Sequence, residues 1–425
     1  MDPRTYVVRA KQLLAMPEAP EELSAYDPDT DLEARDSALL GIVHDGALVV
    51  RDGTIEWIGP WSDRPDIDGL PVMETSVCTP GWIDCHTHAV FAGHRSAEFA
   101  LRNAGRPYVE ILEAGGGILN TVDAVRQSST NDLAESLIGR VFDSIRRGVT
   151  TLEVKSGYGL TTADERKLLV AVKKAQPEVP CELVPCFLGA HAIPREFRDD
   201  RQGYVDLVCD EMIPSIAEEG LADYCDVFCD RGAFTVEESR RVLETGKKHG
   251  MIPRIHADEL TDAGAAMLAA EVGASSADHL EFTPPDAIDA MAKAGVVAVI
   301  MPAVNLFLGT THEAAPARAL LAAGCEVAVA TDFNPGSAMT QDIGLMTTLA
   351  CTIHKLTPGE SLRGVTIAAA KALRRDDIGR LRVGLTANLA MFDVPDYRSI
   401  PYHFGENHVE GVVYDGEFVY WTEVE

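Results

Sequence analysis

From about residue 80 to 385 the chain alternates short apolar runs with longer amphipathic ones, the rhythm of strand and crossover helix in a parallel sheet. The candidate strands are GWIDCHTHAV, TTLEVKSG, CELVPCFLGAH, YCDVFCD, MIPRIHAD, SSADHLEF, VVAVIMPA and EVAVATDF. Eight such repeats favour a closed barrel over an open sheet. Between them, DLAESLIGRVFDSIRRG sets Leu133, Leu137, Val141 and Ile145 on one helical stripe, with Arg146 and Arg147 in the last turn and Gly148 as the stop. TVEESRRVLETGKKHG opens on Thr235 with Glu238 three positions later, which predicts a capping box.

The two ends of the chain have a different texture. Residues 1–79 read as short strands and turns, TYVVRA and then GALVVRDGTIEWIGP, and the same character returns after Val383 in NLAMFDV and HVEGVVYDGEFVYW. The expected fold is therefore α/β, a (β/α)8 TIM-like barrel over residues 80–383 with a small discontinuous β-sandwich domain made from 1–79 and 384–425. Pro17 to Asp36 is acidic and poor in apolar residues, and reads as an exposed loop or flexible insertion.

Composition narrows the partners. The chain has 425 residues, with 37 Lys and Arg against 66 Asp and Glu, a net charge of −29. Its mean field opposes binding to nucleic acid or to an anionic membrane, and an anionic substrate would need cations supplied locally at its site. There is no basic leader with an apolar core and cleavage site, and no apolar run of roughly 18 residues, so the expected location is cytoplasmic, without a membrane span. The nine cysteines (78, 85, 181, 186, 209, 225, 229, 325 and 351) are odd in number and scattered through apolar runs, as reduced core thiols are. Cys225 and Cys229 have no second pair with which to complete a structural metal site.

Residues two apart on a strand face the same way, so His86 and His88 of DCHTH converge while Thr87 points elsewhere. An HxH pair is compatible with a metal site or with two hydrogen-bonded histidines. Further donors stand at the same end of other candidate strands: His191, His256, His279 and Asp332. Neutral imidazoles with one carboxylate suit Zn²⁺ or Fe, with a coordination position left for water, and such a set points to hydrolysis.

The blocks PGWIDCHTHAVFAGHR, GGGILNTVDAVR, TLEVKSGYGL, FLGAHAIP, IHADEL, ADHLEF, MPAVNLFLG and ATDFNPGS resemble the amidohydrolase superfamily and, within it, the imidazolonepropionase family. The resemblance implies ring opening of 4-imidazolone-5-propanoate to N-formimidoyl-L-glutamate in histidine breakdown, a cyclic-amide C–N hydrolysis. It further implies one divalent or trivalent metal ion per subunit, Zn or Fe, held by His86, His88, His256 and Asp332, in a homodimer. Asp332 also becomes a candidate proton acceptor, Glu259 a carboxylate that moves protons at the substrate, and His279 the residue that orients water or polarises the attacked carbonyl; any of the three can be the first acceptor. For the small anionic heterocyclic substrate it points to Arg95, Tyr108, Tyr158, His191, Glu259, Asn334, Gly336 and Ser337. Elementary chemistry agrees on Arg95, whose guanidinium can hold the propanoate in a bidentate fork.

Three features attract other readings. Lys155 resembles the carboxylated lysine that bridges two metals in some superfamily members, but that lysine belongs to the fourth strand and Lys155 ends the second, so one metal is expected, with Lys155 a structural or supporting cation. The glycines of GGGILN lack the companions of a nucleotide cradle and read as a loop near the barrel mouth. His44, His94, His249, His312, His354, His403 and His408 fall in no pattern and read as surface or packing residues. A related superfamily deaminase acting on a nucleobase or similar heterocycle is the alternative activity, and a barrel kept for assembly without catalysis is the third reading.

Overall fold

The computed structural model describes residues 3–18, 31–106 and 117–422. Four strands open the chain: β1 (Tyr6–Leu14), β2 (Ile42–Arg51), β3 (Thr54–Pro60) and β4 (Val72–Pro80). Eight more follow: β5 (Trp82–Asp84), β6 (Val149–Lys155), β7 (Glu182–Ala190), β8 (Tyr224–Cys229), β9 (Ile252–Ala257), β10 (Ser276–His279), β11 (Val297–Ile300) and β12 (Val327–Val329). The last three, β13 (Leu389–Phe392), β14 (Val409–Tyr414) and β15 (Glu417–Trp421), return to the first sheet.

Strands β5 to β12 lie side by side in chain order, all parallel, each at a candidate strand of the sequence. The seam between β12 and β5 closes just beyond the strands themselves. Asp332 N donates to His86 O (3.1 Å), His88 N donates to Phe333 O (3.0 Å), and Thr87 and Phe333 form a parallel bridge. Below this, the Asp84 carboxylate accepts from Thr331 N (3.1 Å) and Thr331 Oγ1 (2.6 Å). The same hydrogen bonds that close the barrel thus bring the HxH segment beside Asp332, 246 positions distant from His86 in sequence.

The crossover helices bury the expected stripes. Helix Thr130–Ile145 buries Leu133, Leu137, Val141 and Ile145, each worth roughly 1.5–3 kcal/mol of transfer free energy, and starts in a Ser129/Asp132 capping box that the sequence reading did not include. Helix Val236–Lys248 starts in the Thr235/Glu238 box and buries Val242 and Leu243.

The chain ends combine in one seven-stranded sheet, ordered β15-β14-β13-β4-β1-β2-β3, in which only β1 and β4 run parallel. The sandwich arises because this single sheet curls over. Tyr6 of β1 meets Phe418 of β15 with ring centroids 4.9 Å apart, and Ile55 N on β3 donates to Leu385 O (2.9 Å) just ahead of β13. Tyr6, Val8, Leu48, Val50, Leu389 and Met391 fill the enclosed side, while the alternate residues Val7, Ala47 and Val49 pack under Trp57 and Trp61 on the other.

The Pro17–Asp36 segment differs from the expected loop. Its residues 19–30 lie outside the described residues, but Leu32–Leu40 is a helix, capped by the Asp31 carboxylate accepting from Glu33 N and Ala34 N. This helix docks on the barrel through buried charge: Arg35 Nη2 lies 2.8 Å from Glu360 Oε1, and Asp36 accepts from Gly359 N (3.1 Å) and Tyr397 OH (3.1 Å). A buried ion pair satisfied in this way holds a polar helix that the apolar pattern alone does not reveal.

Candidate active site and metal centre

Strand β5 ends at Asp84, but the alternation of its side chains continues to His88. Thr87 faces away, donating from Oγ1 to Glu153 O and from N to Glu153 Oε2 (2.9 Å), while His86 and His88 turn together with ring centroids 5.5 Å apart. His256, near the end of β9, joins them with Nε2 3.4 Å from His88 Nε2. Asp332 Oδ1 completes the group, 3.5 Å from His86 Nε2 and 3.3 Å from His88 Nε2. His279, at the end of β10, packs its ring 5.4 Å from that of His256.

These donors suit a metal ion on their own geometry. His86, His88 and Asp332 offer ligand atoms within 4.8 Å of one another, as do His86, His256 and His279. His86 Nε2 and Asp332 Oδ1 are buried without a hydrogen-bond partner among the described residues, although they face each other. Leaving such groups unsatisfied is costly, and a shared cation satisfies both. Burial holds the His86 and His88 imidazoles below their ordinary pKa, and so in the neutral form that coordinates. Burial alone would raise the Asp332 carboxyl; the surrounding imidazoles, His88 foremost, outweigh it and keep the group ionised.

Behind the imidazoles stands a layer of fully buried charge of which the sequence motifs singled out only Lys155. His86 Nδ1 is 2.7 Å from Asp278 Oδ2, and His256 Nδ1 is 3.1 Å from Asp226 Oδ1. A carboxylate on Nδ1 holds the proton there and turns Nε2, with its lone pair, toward the centre. Lys155 Nζ ties the layer together, 2.7 Å from Glu153 Oε1 and 2.8 Å from Asp226 Oδ2, and Arg254 Nη2 reaches Asp278 Oδ2 at 3.1 Å. Lys155 is thus fully occupied by carboxylates, as a supporting cation. The signal was present in the period of two: Arg254 lies two before His256, and Asp226 is the lone polar residue inside YCDVFC.

The mouth is acidic. His279 Nε2 lies 3.7 Å from Glu259 Oε2. Burial works to lower the His279 pKa, but Glu259, Glu281 and Asp332 together outweigh it and push the imidazole up to about 9. Burial raises the Glu259 carboxyl and pushes that of Glu281 up to about 8. His279 and Asp332 have φ of 81° and 49°, left-handed values rare for such residues and found where a fold aims a side chain for function.

Other expected residues line the same opening. The His191 ring stacks on His88 at 5.0 Å and its Nδ1 pairs with Gly157 O (3.0 Å); Tyr158 packs 5.7 Å from His88. Asn334 Nδ2 donates to Asp332 Oδ2 (2.9 Å) and Ser337 Oγ (2.8 Å), while its Oδ1 accepts from Gly336 N (2.7 Å), so this loop braces Asp332. Arg95 Nη1 sits where any side chain at Gly336 would stand, 2.2 Å from an added Cβ. Arg95 is already paired: Nε donates to Glu98 Oε2 (2.9 Å), and Glu98 also accepts from Gly117 N (2.9 Å). Glu98 is a site neighbour missed in the sequence, although its i, i+3 spacing from Arg95 was there to find. Tyr108 lies outside the described residues, as do Gly115 and Gly116; Gly117 begins helix Ile118–Gln127.

Comparison with known proteins gives the family and the fold. The model of the amidohydrolase family matches residues 112–420. An imidazolonepropionase of Shouchella clausii is 42% identical over 417 residues, covering 96% of this chain and 93% of that protein. An imidazolonepropionase of Myxococcus xanthus is 46% identical over 386 residues, covering 89% and 91%. The solved structure of an atrazine chlorohydrolase from Arthrobacter aurescens, complexed with zinc, shares the fold at a TM-score of 0.72 and 17% identity, covering 98% of this chain and 95% of that one.

Proposed function

The chain belongs to the amidohydrolase family, and within it to the imidazolonepropionases; from that membership we propose how its own residues carry out the reaction. The activity is hydrolysis of the cyclic-amide C–N bond of 4-imidazolone-5-propanoate, giving N-formimidoyl-L-glutamate. Water oxygen joins the ring carbonyl carbon, the bond from that carbon to the ring nitrogen breaks, and a proton must pass from water to the departing nitrogen.

His86, His88, His256 and Asp332 are assigned to one metal ion, Zn or Fe, since N and O donors accept either. When bound, the ion supplies Lewis-acid polarisation and makes water nucleophilic near neutral pH. Asp332, kept ionised by its imidazole neighbours, is the first proton acceptor. Glu259, whose carboxyl burial raises, carries the proton to the ring nitrogen. His279, held as a cation by the carboxylates around it, faces the oxyanion that develops on the carbonyl. Arg95 receives the propanoate through Nη1 on its Gly336 side, since the fork of Nε and Nη2 expected to hold the propanoate is engaged by Glu98. Tyr158, His191, Asn334 and Ser337 shape the pocket, and Tyr108 completes the set carried over from the family.

The observation that carries the metal assignment is the pair of buried, partnerless atoms, His86 Nε2 and Asp332 Oδ1, facing each other at 3.5 Å. The test of the reaction is product analysis: purified, metal-loaded protein should convert imidazolonepropanoate to formimidoylglutamate without releasing ammonia. Ammonia release from a nucleobase, with imidazolonepropanoate left intact, would replace this reading by the deaminase one.

The same proposal divides the chain into a β-domain of residues 1–79 and 384–425 and a hydrolase barrel of 80–383, and places it in the cytoplasm as a homodimer. The location rests on nine unpaired cysteines, eight of them buried, which suit a reducing compartment. Among the described residues, no helix is long and apolar enough to cross a membrane.

A further inference from the structure

His403 and His408, which the sequence pattern leaves as bystanders, come together with Glu406 at the opposite end of the barrel from the imidazole cluster. His403 closes the short helix Ser399–Tyr402, and His408 immediately precedes β14. Glu406 and His408 border a small cleft with Trp82, at the start of β5, and Arg147, just ahead of β6. The candidate active site lies beyond the far ends of those two strands.

We propose that His403, Glu406 and His408 form a second metal site, for a divalent transition-metal ion of the Zn²⁺ class. His403 Nδ1 and His408 Nε2 each stand 3.4 Å from the same oxygen, Glu406 Oε2, and all three ligand atoms lie within 4.8 Å of one another. A tetrahedral ion with bonds of about 2.0–2.2 Å holds its ligands roughly 3.3–3.6 Å apart, and both His–Glu separations fall in that range. The His408–Glu406 contact does not serve instead as a hydrogen bond. His408 Nε2 is buried and has no hydrogen-bond partner among the described residues, although the carboxylate is within 3.4 Å. That lone, aimed nitrogen is the second observation pointing to a ligand.

The donor set selects the ion. Two imidazole nitrogens and one carboxylate oxygen favour Zn²⁺, Ni²⁺ or Cu²⁺ over the oxygen-seeking Mg²⁺ and Ca²⁺, and leave a fourth position for water. The neighbouring cation, Arg147, is offset by Asp342, whose Oδ2 is 3.7 Å from its Nε. The loop is already shaped for the purpose. Asn407 Nδ2 donates to Arg146 O (2.9 Å) and Asn407 Oδ1 accepts from Val409 N (3.2 Å), which pins the segment between the two histidines, while His403 N donates to Ser399 O (3.1 Å). The ion would clip the end of the helix to the start of β14, within the connection between β13 and β14.

The test counts metal on the holoenzyme after equilibrium dialysis against micromolar Zn²⁺, by elemental analysis, for wild type, for His403→Ala/His408→Ala and for Glu406→Ala. Both variants should hold one Zn²⁺ equivalent per chain less than wild type. Both should turn over substrate at the wild-type rate, and added Zn²⁺ should raise the unfolding temperature of wild type alone. Because the readout is a difference of one equivalent, it does not depend on how the barrel cluster is occupied. Equal metal content in wild type and either variant would overturn the proposal; Glu406 is exposed, so its replacement tests the site without disturbing the fold.

Discussion

The two histidine–carboxylate groups of this molecule use the same side-chain chemistry but are held in different ways. In the barrel group the rings of His86, His88, His256 and His279 are at most 3% exposed, and His86 and His256 each have a carboxylate behind Nδ1 that is itself tied to Lys155 or Arg254. In the loop group the side chains are 35%, 66% and 25% exposed for His403, Glu406 and His408, and Glu406 is shared directly between the two rings. Burial with a supporting layer fixes tautomer, orientation and charge before any ligand arrives, which catalysis requires. A loop group without that layer can clip a fold but has no means of tuning a reaction.

The comparison can be broken most forcefully at Asp332. Asp332→Asn should lower kcat by about 10²–10⁴-fold, the usual contribution of a positioned proton acceptor, with the fold unchanged by circular dichroism. A buried imidazole without a supporting carboxylate shows the effect of burial by itself. Among the described residues His354 is held only by Nδ1 on Ala315 O (3.1 Å), and burial pushes its pKa from 6.5 down to about 4. Between those values the unfolded chain binds the proton and the folded chain does not. The associated stability is therefore complete above pH 6.5 and is lost as pH falls toward 4, by up to roughly 3 kcal/mol. Denaturant titrations at stepped pH should show this slope in wild type and lose it in His354→Asn.

Removing the support while keeping the ligand tests the layer itself. Asp278→Asn should weaken metal binding about 10–100-fold and slow turnover through metal loss, an effect that excess metal largely reverses. At the mouth, Arg95→Lys keeps the charge but cannot hold Glu98 through two nitrogens and offer a third to the propanoate; it should raise KM by roughly 10-fold with little change in kcat, as expected when a charge-assisted hydrogen bond is removed from substrate binding. The smallest catalytic effect belongs to the loop group, where His403→Ala/His408→Ala should leave kcat and KM unchanged.

How much of this the sequence discloses follows from how local each signal is. All eight barrel strands and the Thr235/Glu238 capping box are read from adjacent residues, and His86, His88, His256, His279 and Asp332 stand out because each ends or follows an apolar run. The supporting layer is less legible, since Asp226, Asp278 and Arg254 take their meaning from rings on other strands. Helix Leu32–Leu40 was hidden for a related reason. Its buried Arg35 and Asp36 look solvent-facing until Glu360 and Gly359 are brought to them by the fold. The loop group was invisible because its three residues lie outside any periodic element; only the fold brings the rings of His403 and His408 to 4.3 Å.

The central claim is that the buried barrel group is a metal site that performs the hydrolysis. It is tested most directly by metal content and turnover of imidazolonepropanoate measured together on wild type and His256→Ala, both carrying His403→Ala/His408→Ala to silence the loop group. One equivalent of Zn or Fe with activity in the first, and loss of both in the second, is the result expected. Activity that persists in His256→Ala without bound metal would contradict it.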